Sequence, residues 1–442
     1  MKKVLMVTLS VVVLLSLNPS ANGAGFLIYE HGAAAMAMGG AFIGLANNPT
    51  AIFHNPAGLA WLDGTQISLG TTLITSKSSL ELPNWPDPTY QTVDQESQWF
   101  YPSTFYISHK FSDRITAGFG FFSPYGLGTK WPKDYPLKYI ATKDDMKTFF
   151  FNPAVAIKLS EEFSLAFGVS YIRATLTFEL VEHVDLADAI PGLPIGLLAY
   201  DVPITLKASG NGWGLNAGAM YKGENFSVGL NWRGGFKVKF DGDLDLDTSG
   251  VQIPAPYNQL IPAFPTEGTA STSFNFPQIF GLGFAFNLSQ SVLFTADFHM
   301  VFWSCYDEFI VDVDVLGFKD KIVEEHWENS MLFRGGLQYN LNESFSLRVG
   351  ALYDQTPQPE KYMDPILPDA NRWAVTGGFG YKTGSFVINV AYQYEVFSDR
   401  TSPNRSILPY QVEVFPGTFI NLGEGTYSNI AHLIGISLGY NF

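Results

Sequence analysis

The residues with chemistry to offer are a serine flanked by glycines, a run of alternating aspartates, seven histidines, one cysteine and a handful of arginines. Gly435-Ile436-Ser437-Leu438-Gly439 fits the G-x-S-x-G pattern of a serine nucleophile, which needs a sharp strand-to-helix elbow. Only three residues follow it, and its surroundings alternate like a strand, so the match is accidental. Asp243, Asp245 and Asp247 begin like a calcium loop. The required glycine is instead Thr248 and the required terminal glutamate is Pro254, so an EF-hand fails. With Leu244 and Leu246 between them, these aspartates read as the polar face of a protruding strand, offering at most a weak surface cation site. The histidines show no ligand spacing, so no metal or other cofactor is expected. Cys305 is alone, which excludes an intrachain disulfide and leaves it to fill space. Arg233, Arg334, Arg348 and Arg372 remain. Arginine's planar fork suits carboxylates. Whether these four meet a ligand or pair with acids such as Asp354 and Glu395 depends on the elements that carry them.

Those elements follow from the N-terminus and the composition. Lys2-Lys3, the apolar run Val4 to Leu17, and the small-x-small triplet Ala21-Asn22-Gly23 form a secretory signal over residues 1–23. The apolar run is shorter than the ~20 residues a helix needs to cross a bilayer. The net charge of −15 argues against nucleic acid, whose phosphates attract lysine and arginine. Aromatic residues make up 15% of the chain and charged residues only 15%, well under the roughly 25% charged of ordinary globular domains. No later stretch is apolar for the length of a membrane helix, so the membrane architecture left open is a β-barrel.

Barrel strands alternate lipid-facing and lumen-facing residues. Phe163, Leu165, Phe167, Val169 and Tyr171 alternate with Ser164, Ala166, Gly168 and Ser170. Phe386, Ile388, Val390, Tyr392 and Tyr394 alternate in the same way, as do Phe226 to Trp232 and Phe345 to Ala351. The last strand carries Ile436, Leu438, Tyr440 and Phe442 on one face, and a terminal phenylalanine resembles the assembly signal of outer-membrane proteins. The pattern predicts fourteen strands, near 65–76, 98–111, 114–128, 144–160, 163–178, 210–222, 225–241, 270–286, 291–311, 326–340, 343–354, 370–382, 385–398 and 427–442. The short connections, such as Ser112-Asp113 and Glu161-Glu162, are expected at the periplasmic end. The long ones, near 77–97, 179–209, 242–269 and 399–426, are expected outside the cell. By this alternation the four arginines face inward.

Residues 24–62 do not alternate. They are rich in alanine, glycine and methionine, and carry Asn47-Asn48-Pro49 and Asn55-Pro56-Ala57-Gly58, which mark turns. A fourteen-strand barrel is too wide to be filled by its own wall, since about eight strands is the filled limit. This segment suits a plug. The domains expected are therefore the signal peptide 1–23, a hatch 24–62 and a transmembrane antiparallel barrel 63–442.

Ala24-Gly25-Phe26, Asn55-Pro56-Ala57, Gly212-Trp213-Gly214, Phe276-Pro277 and Leu367-Pro368-Asp369-Ala370-Asn371-Arg372-Trp373 follow one another in that order over essentially the whole mature chain. On these residues, with Asn55-Pro56-Ala57 as the hatch motif, the chain resembles the FadL family of outer-membrane transporters for long-chain fatty acids and other hydrophobic compounds. A second Asn-Pro-Ala at 152–154 reads as strand. The resemblance implies three stages. An extracellular groove would use apolar loop residues, Ile190, Leu193, Ile195, Leu197 and Leu198 from one loop and Ile253, Tyr257, Leu260, Ile261 and Phe264 from another. The alternative for these residues is that the two loops pack on each other. A lumen site would use an arginine for a carboxylate head, with Arg233, Arg334, Arg348 and Arg372 as candidates. The basic head-group residues of the family have no match here; past the fifth strand, where one is implied, stand Thr177-Phe178. A lateral exit would use the strand break at Ser123-Pro124-Tyr125-Gly126, because proline cannot donate to the ladder.

The reading is thus an uptake protein, not an enzyme, for fatty acids or hydrocarbons, working down a gradient without a visible energy source. Its partners are an apolar small molecule and the lipid and lipopolysaccharide of a Gram-negative outer membrane; it is expected as a monomer. Other classes are a general porin, an adhesin or phage receptor, and an outer-membrane lipase. The first two need neither plug nor strand break. A lipase needs a facing serine, histidine and polar orienter, which alternation does not supply.

Overall fold

A computed structural model describes residues 25–185, 198–255, 257–259, 264–315, 320–402, 411–415, 418–421 and 424–442. The expected signal peptide lies outside the described residues. The chain forms one closed antiparallel barrel of fourteen strands. These are β1 Thr65–Glu81, β2 Ser103–Lys110, β3 Ile115–Phe122 resuming as Gly126–Lys130, β4 Lys143–Lys158 and β5 Phe163–Asp185. There follow β6 Ala199–Lys222, β7 Phe226–Arg233 with Phe236–Leu246, β8 Glu267–Phe276 with Ile279–Asn287, and β9 Val292–Val301 with Glu308–Asp314. The ring ends with β10 Lys321–Glu324 with Ser330–Asn340, β11 Phe345–Asp354, β12 Arg372–Thr383, β13 Phe386–Phe397 and β14 Gly425–Asn441. Closure is by β1 on β14, in register from Gln66 opposite Asn441 to Glu81 opposite Thr426. With no free edge, every strand finds partners on both sides, the condition for backbone in a bilayer.

Outward-facing positions make an apolar belt between two aromatic rows. Near the short turns lie Tyr221–Phe226–Phe286–Phe294 and Phe386–Tyr440–Phe442, ring against ring. Toward the long connections lie Phe151–Tyr171–Trp213 and Trp232–Phe280–Phe302. Along β6, Trp213 and Tyr221 are separated by about 27 Å at ~3.4 Å per residue. A strand tilt of ~40° reduces this to about 21 Å of height, close to the ~25 Å of an outer-membrane apolar band.

The connection expected near 179–209 is strand over 179–185 and 199–209, and the one near 242–269 is strand, among the described residues, only at its two ends. β5 runs on to Asp185 and β6 begins at Ala199, paired from Phe163 opposite Tyr221 to Asp185 opposite Ala199. β7 extends to Leu246. Beyond the membrane the outward face has no reason to be apolar, so the alternation signal fades while backbone pairing continues.

Residues 25–62 run inside the ring. Two single-turn helices, α1 Ala33–Met36 and α2 Ala51–His54, and a 3-10 turn Pro56–Trp61 carry it. Wall side chains from strands all round the barrel bond to its backbone. Thr72 of β1 reaches the Glu30 carbonyl, Ser164 of β5 that of Ala57, Ser227 of β7 that of Gly44, and Thr376 of β12 that of Ala37. Asp297 of β9 accepts from the Phe42 and Ile43 amides at 2.6 and 2.8 Å. The approach is close enough to demand glycine in the wall. A Cβ on Gly229 would lie 2.4 Å from the Ile43 carbonyl oxygen, and one on Gly350 would lie 2.3 Å from the Gly39 nitrogen.

Candidate functional site

The site is built where β3 breaks. Phe122 faces inward, and the backbone then passes through Ser123-Pro124-Tyr125 before pairing resumes at Gly126. Pairing with β2 stops at Phe105 opposite Phe121, while β4 stays paired on the other side, from Gly126 opposite Lys147 to Lys130 opposite Lys143. β2 diverges at the same height. Residues before Ser103 turn toward β1, where Phe100 bridges to Ile74. A gap opens between β2 and β3. Pro124 contributes by having no N–H to offer.

The N-terminal segment takes the place of the missing neighbour. The Ile28 amide donates to the Pro124 carbonyl at 2.8 Å, the Gly126 amide donates to the Phe26 carbonyl at 3.1 Å, and Leu27 bridges to Tyr125. Tyr125 is turned fully inward. It is held by Thr148, whose hydroxyl donates to the Tyr125 carbonyl at 2.7 Å, and its own hydroxyl donates to the Pro277 carbonyl. Phe26 sits among Tyr125, Phe276, Trp303, Tyr306 and Trp327, with ring centroids 4.6 to 6.2 Å away.

A cavity of about 770 Å³ occupies this gap. Its inner wall includes Phe26, Ile28, Glu30, Asp369, Arg372 and Glu395; its outer wall includes Trp99, Tyr101, Phe121 and Phe149. Phe121 and Phe149 stack at 6.2 Å on the outward face, and Tyr101 is 71% exposed. The cavity therefore has one side in the lumen and the other at the lipid-facing surface. Trp99, Tyr101, Phe149, Glu30 and Asp369 were not singled out from the sequence as site residues. Trp99 and Tyr101 lie just before β2, where only the register of the wall reveals that they flank an opening.

The four arginines face inward but occupy different surroundings. Arg334 is bidentate to Asp354 at 3.0 and 2.8 Å, donates to the Gly39 carbonyl, and lies over the Tyr29 ring. Arg372 shares that same Asp354 carboxylate at 2.9 Å, with Glu395 3.7 Å away. Arg348 is held by Gln338 and Asn389. Arg233 is buried among Phe53, Phe122 and Phe150, and its one polar contact among the described residues is the Phe53 carbonyl. Arg372 is the one of the four that lines the cavity.

In the segment, Asn55 accepts from the Ala57 amide, capping the 3-10 turn, and its amide group donates to the carbonyls of Ile43 and, on β6, Ala219, both at 3.1 Å. Pro56 and Ala57 follow it in that turn, buried. The second Asn-Pro-Ala is strand: Asn152 donates to the Val169 carbonyl at 3.1 Å, the acceptor that Pro153, having no N–H, leaves free. His31 and His54 donate through Nε2 to the carbonyls of Ile28 and His31. Burial pulls both imidazoles down, His54 to about 3, so both are neutral.

Of the expected groove residues, Leu198 is buried, with Ile253, Tyr257 and Phe264 packed against it. Ile190, Leu193, Ile195, Leu197, Leu260 and Ile261 lie outside the described residues. Asp243 and Asp245 are exposed on the β7 extension. Ser437 sits mid-strand in β14.

A closed barrel with an apolar belt, a lumen-filling segment and an apolar cavity at a broken strand defines an outer-membrane channel protein for hydrophobic solutes. Residues 12–442 match the family of outer membrane transport proteins described as OMPP1/FadL/TodX, and the chain belongs to that family. It is 23% identical over 403 residues to the long-chain fatty acid transport protein of Salmonella typhi, covering 86% of this chain and 89% of that one. Its fold is similar to a Pseudomonas aeruginosa FadL homologue, with a TM-score of 0.77 and 18% identity over 95% of this chain and all of the other. It is also similar to the Ralstonia pickettii toluene transporter TbuX, with a TM-score of 0.68 and 17% identity over 93% of this chain and 98% of that one. The protein is thus an outer-membrane transporter of hydrophobic compounds in a Gram-negative bacterium.

Proposed function

We propose that the protein takes up long-chain fatty acids or hydrocarbons as a monomer, passing them from the lumen sideways into the bilayer at the β3 break. No enzymatic step is part of this reading. The observation that carries it is the cavity between Arg372 and Glu395 on the lumen side and Phe121 and Phe149 on the lipid side. An apolar solute leaving there never enters water, which saves roughly 25 cal/mol for each Å² of apolar surface kept dry. Residues 25–62 act as the hatch. Phe26 to Ile28 close the gap by pairing with Pro124 and Gly126, and entry of a ligand competes with that pairing. Apolar residues of the outer loops, among them Leu198, Ile253, Tyr257 and Phe264, serve capture.

A specific observation favours neutral over carboxylate substrates. Arg372 already shares Asp354 and faces Glu395, and the cavity wall adds Glu30 and Asp369. A fatty-acid carboxylate would meet more acid than base. The similarity of the fold to a toluene transporter is in keeping with this, and the similarity of the sequence to a fatty acid transporter marks the alternative.

The test is uptake of a long-chain fatty acid and of an aromatic hydrocarbon in one host deleted for its own transporter. Neutral hydrocarbon is expected to enter faster with the protein than without, and a Pro124 deletion, which restores alternation in β3, is expected to return uptake to the background rate while the barrel still folds. If no apolar compound enters faster with the protein present, the proposal fails.

A further inference from the structure

The outward face of β5 to β7, just above the upper aromatic row, changes from apolar to basic. Tyr171 and Trp213, in ring contact at 5.2 Å, mark the top of the belt. The next outward row is Arg173, Asn211 and Lys239, which are register partners on β5, β6 and β7. Lys237 is the exposed outward neighbour of Lys239 on β7. Among the described residues, Arg173 and Lys237 have no carboxylate partner; Lys239 has Asp241 at 2.8 Å, an exposed pair that is worth little in water. Arg173 and the Tyr171 hydroxyl both donate to the Asn211 side-chain oxygen, at 3.2 and 2.8 Å, so the Asn211 amide hydrogens point away from both. On a chain of net charge −15, three cations and a free amide in one patch need an explanation.

We propose that this patch binds the phosphorylated headgroup of lipopolysaccharide. The argument is charge and height together. Groups immediately above the aromatic row sit at the level of lipid headgroups, and in the outer leaflet those headgroups carry phosphate. Arg173 and Lys237 are placed to accept that charge directly. Asn211, positioned by Tyr171 and Arg173, adds a donor between them. Acyl chains of the same lipid would lie along Trp213 and the belt below. Basic side chains at a membrane surface each contribute about a five-fold gain in affinity for anionic lipid. Three of them therefore contribute on the order of a hundred-fold.

The test uses the full-length protein, freed of lipid, refolded and held in neutral detergent. Binding of bisphosphorylated lipid A is compared with that of lipid A stripped of phosphate, and with inorganic phosphate as competitor. The triple variant Arg173→Gln, Lys237→Gln, Lys239→Gln is expected to lose roughly a hundred-fold in lipid A affinity, and removal of phosphate from the lipid to cost the same. Millimolar inorganic phosphate should not displace the lipid, because it lacks the acyl chains. Lys382→Gln, at the opposite end of the barrel, should bind as the parent does, and heat-dependent gel mobility checks that each variant is folded. Equal affinity of the folded triple variant and the parent would overturn the assignment, as would equal affinity for the phosphate-free lipid. Displacement by inorganic phosphate would assign the patch to a free anion and equally overturn it.

Discussion

Asp354 holds two arginines on one buried carboxylate, and the consequences of that arrangement can be measured. Arg334 ties the carboxylate to the Gly39 carbonyl of the hatch, and Arg372 ties it to the cavity. Removing one partner of a buried pair costs about 3–5 kcal/mol, since the other charge is left without compensation. Asp354→Ala, which strands two cations, is expected at the top of that range or above it, read as the shift in the urea midpoint of unfolding. Glu395→Gln should have a different effect. It removes one negative charge beside Arg372, so uptake of a fatty-acid anion should rise relative to a neutral hydrocarbon, and a fall in that ratio would count against a charge-selective cavity. At this scale the sequence showed which arginines face inward, because alternation sets the face. It did not show that Arg372 lines the cavity while Arg233 lies in an aromatic cage, because both depend on how deep each strand position sits against the N-terminal segment.

In the proposed mechanism gating turns on residues 25–62, and the hold of this segment on the wall is of two kinds. One is contact without side chains. Gly229→Val would drive a branched side chain into the Ile43 carbonyl, and the segment is expected to shift rather than the wall, because the wall is paired on both sides. The measurable result is a rise in passage of small polar solutes through the barrel; unchanged permeability would mean that the contact is not sealing. The other is the neutrality of its histidines. His31 and His54 each donate through Nε2, and Nδ1 of each has no partner among the described residues. Protonation would place an N–H at Nδ1 with no acceptor, close to Arg233 and Arg334. The docked pKa is held below that of the undocked imidazole, so docking is strongest above pH ~6.5 and weakens as pH falls below it. For His54, held down to about 3, the loss between pH 6.5 and 5 is about 2 kcal/mol, and His31 adds to it in the same direction. Hydrogen exchange of residues 25–62 should therefore accelerate at pH 5, and the His31→Gln, His54→Gln double variant should remove most of that dependence.

At the scale of the whole molecule, the barrel is closed by its own wall and the hatch is an addition to it. Every strand is paired through neighbours that do not include residues 25–62, apart from the patch at Pro124. Deleting residues 24–62 is thus expected to leave a folded barrel that conducts ions freely and no longer discriminates in uptake. A general porin would keep its permeability unchanged after the same deletion. Closure has the opposite character. β14 pairs with β1 from Thr426 to Asn441, a contact between the last and first strands of the wall, and removing β14 is expected to abolish folding altogether.

The fourteen strands, their inward faces and the membrane class were all written in the sequence. Each follows from a local rule: a strand in lipid must alternate, and a proline cannot donate to a ladder. Pro124 marked the break for that reason. The overlong β5 and β6 were hidden by the fading of the same rule, since outside the bilayer both faces can be polar. What the break opens onto could be decided only by tertiary structure. The cavity draws on β1, β2, β3, β4, β12, β13 and β14 and on the N-terminal segment, brought together by closure of the ring. The acid surplus around Arg372 and the basic row above Trp213 arise in the same way. The first is a sum over strands far apart in sequence and the second over three consecutive ones, and in both it is the register between neighbours that sets the charges side by side.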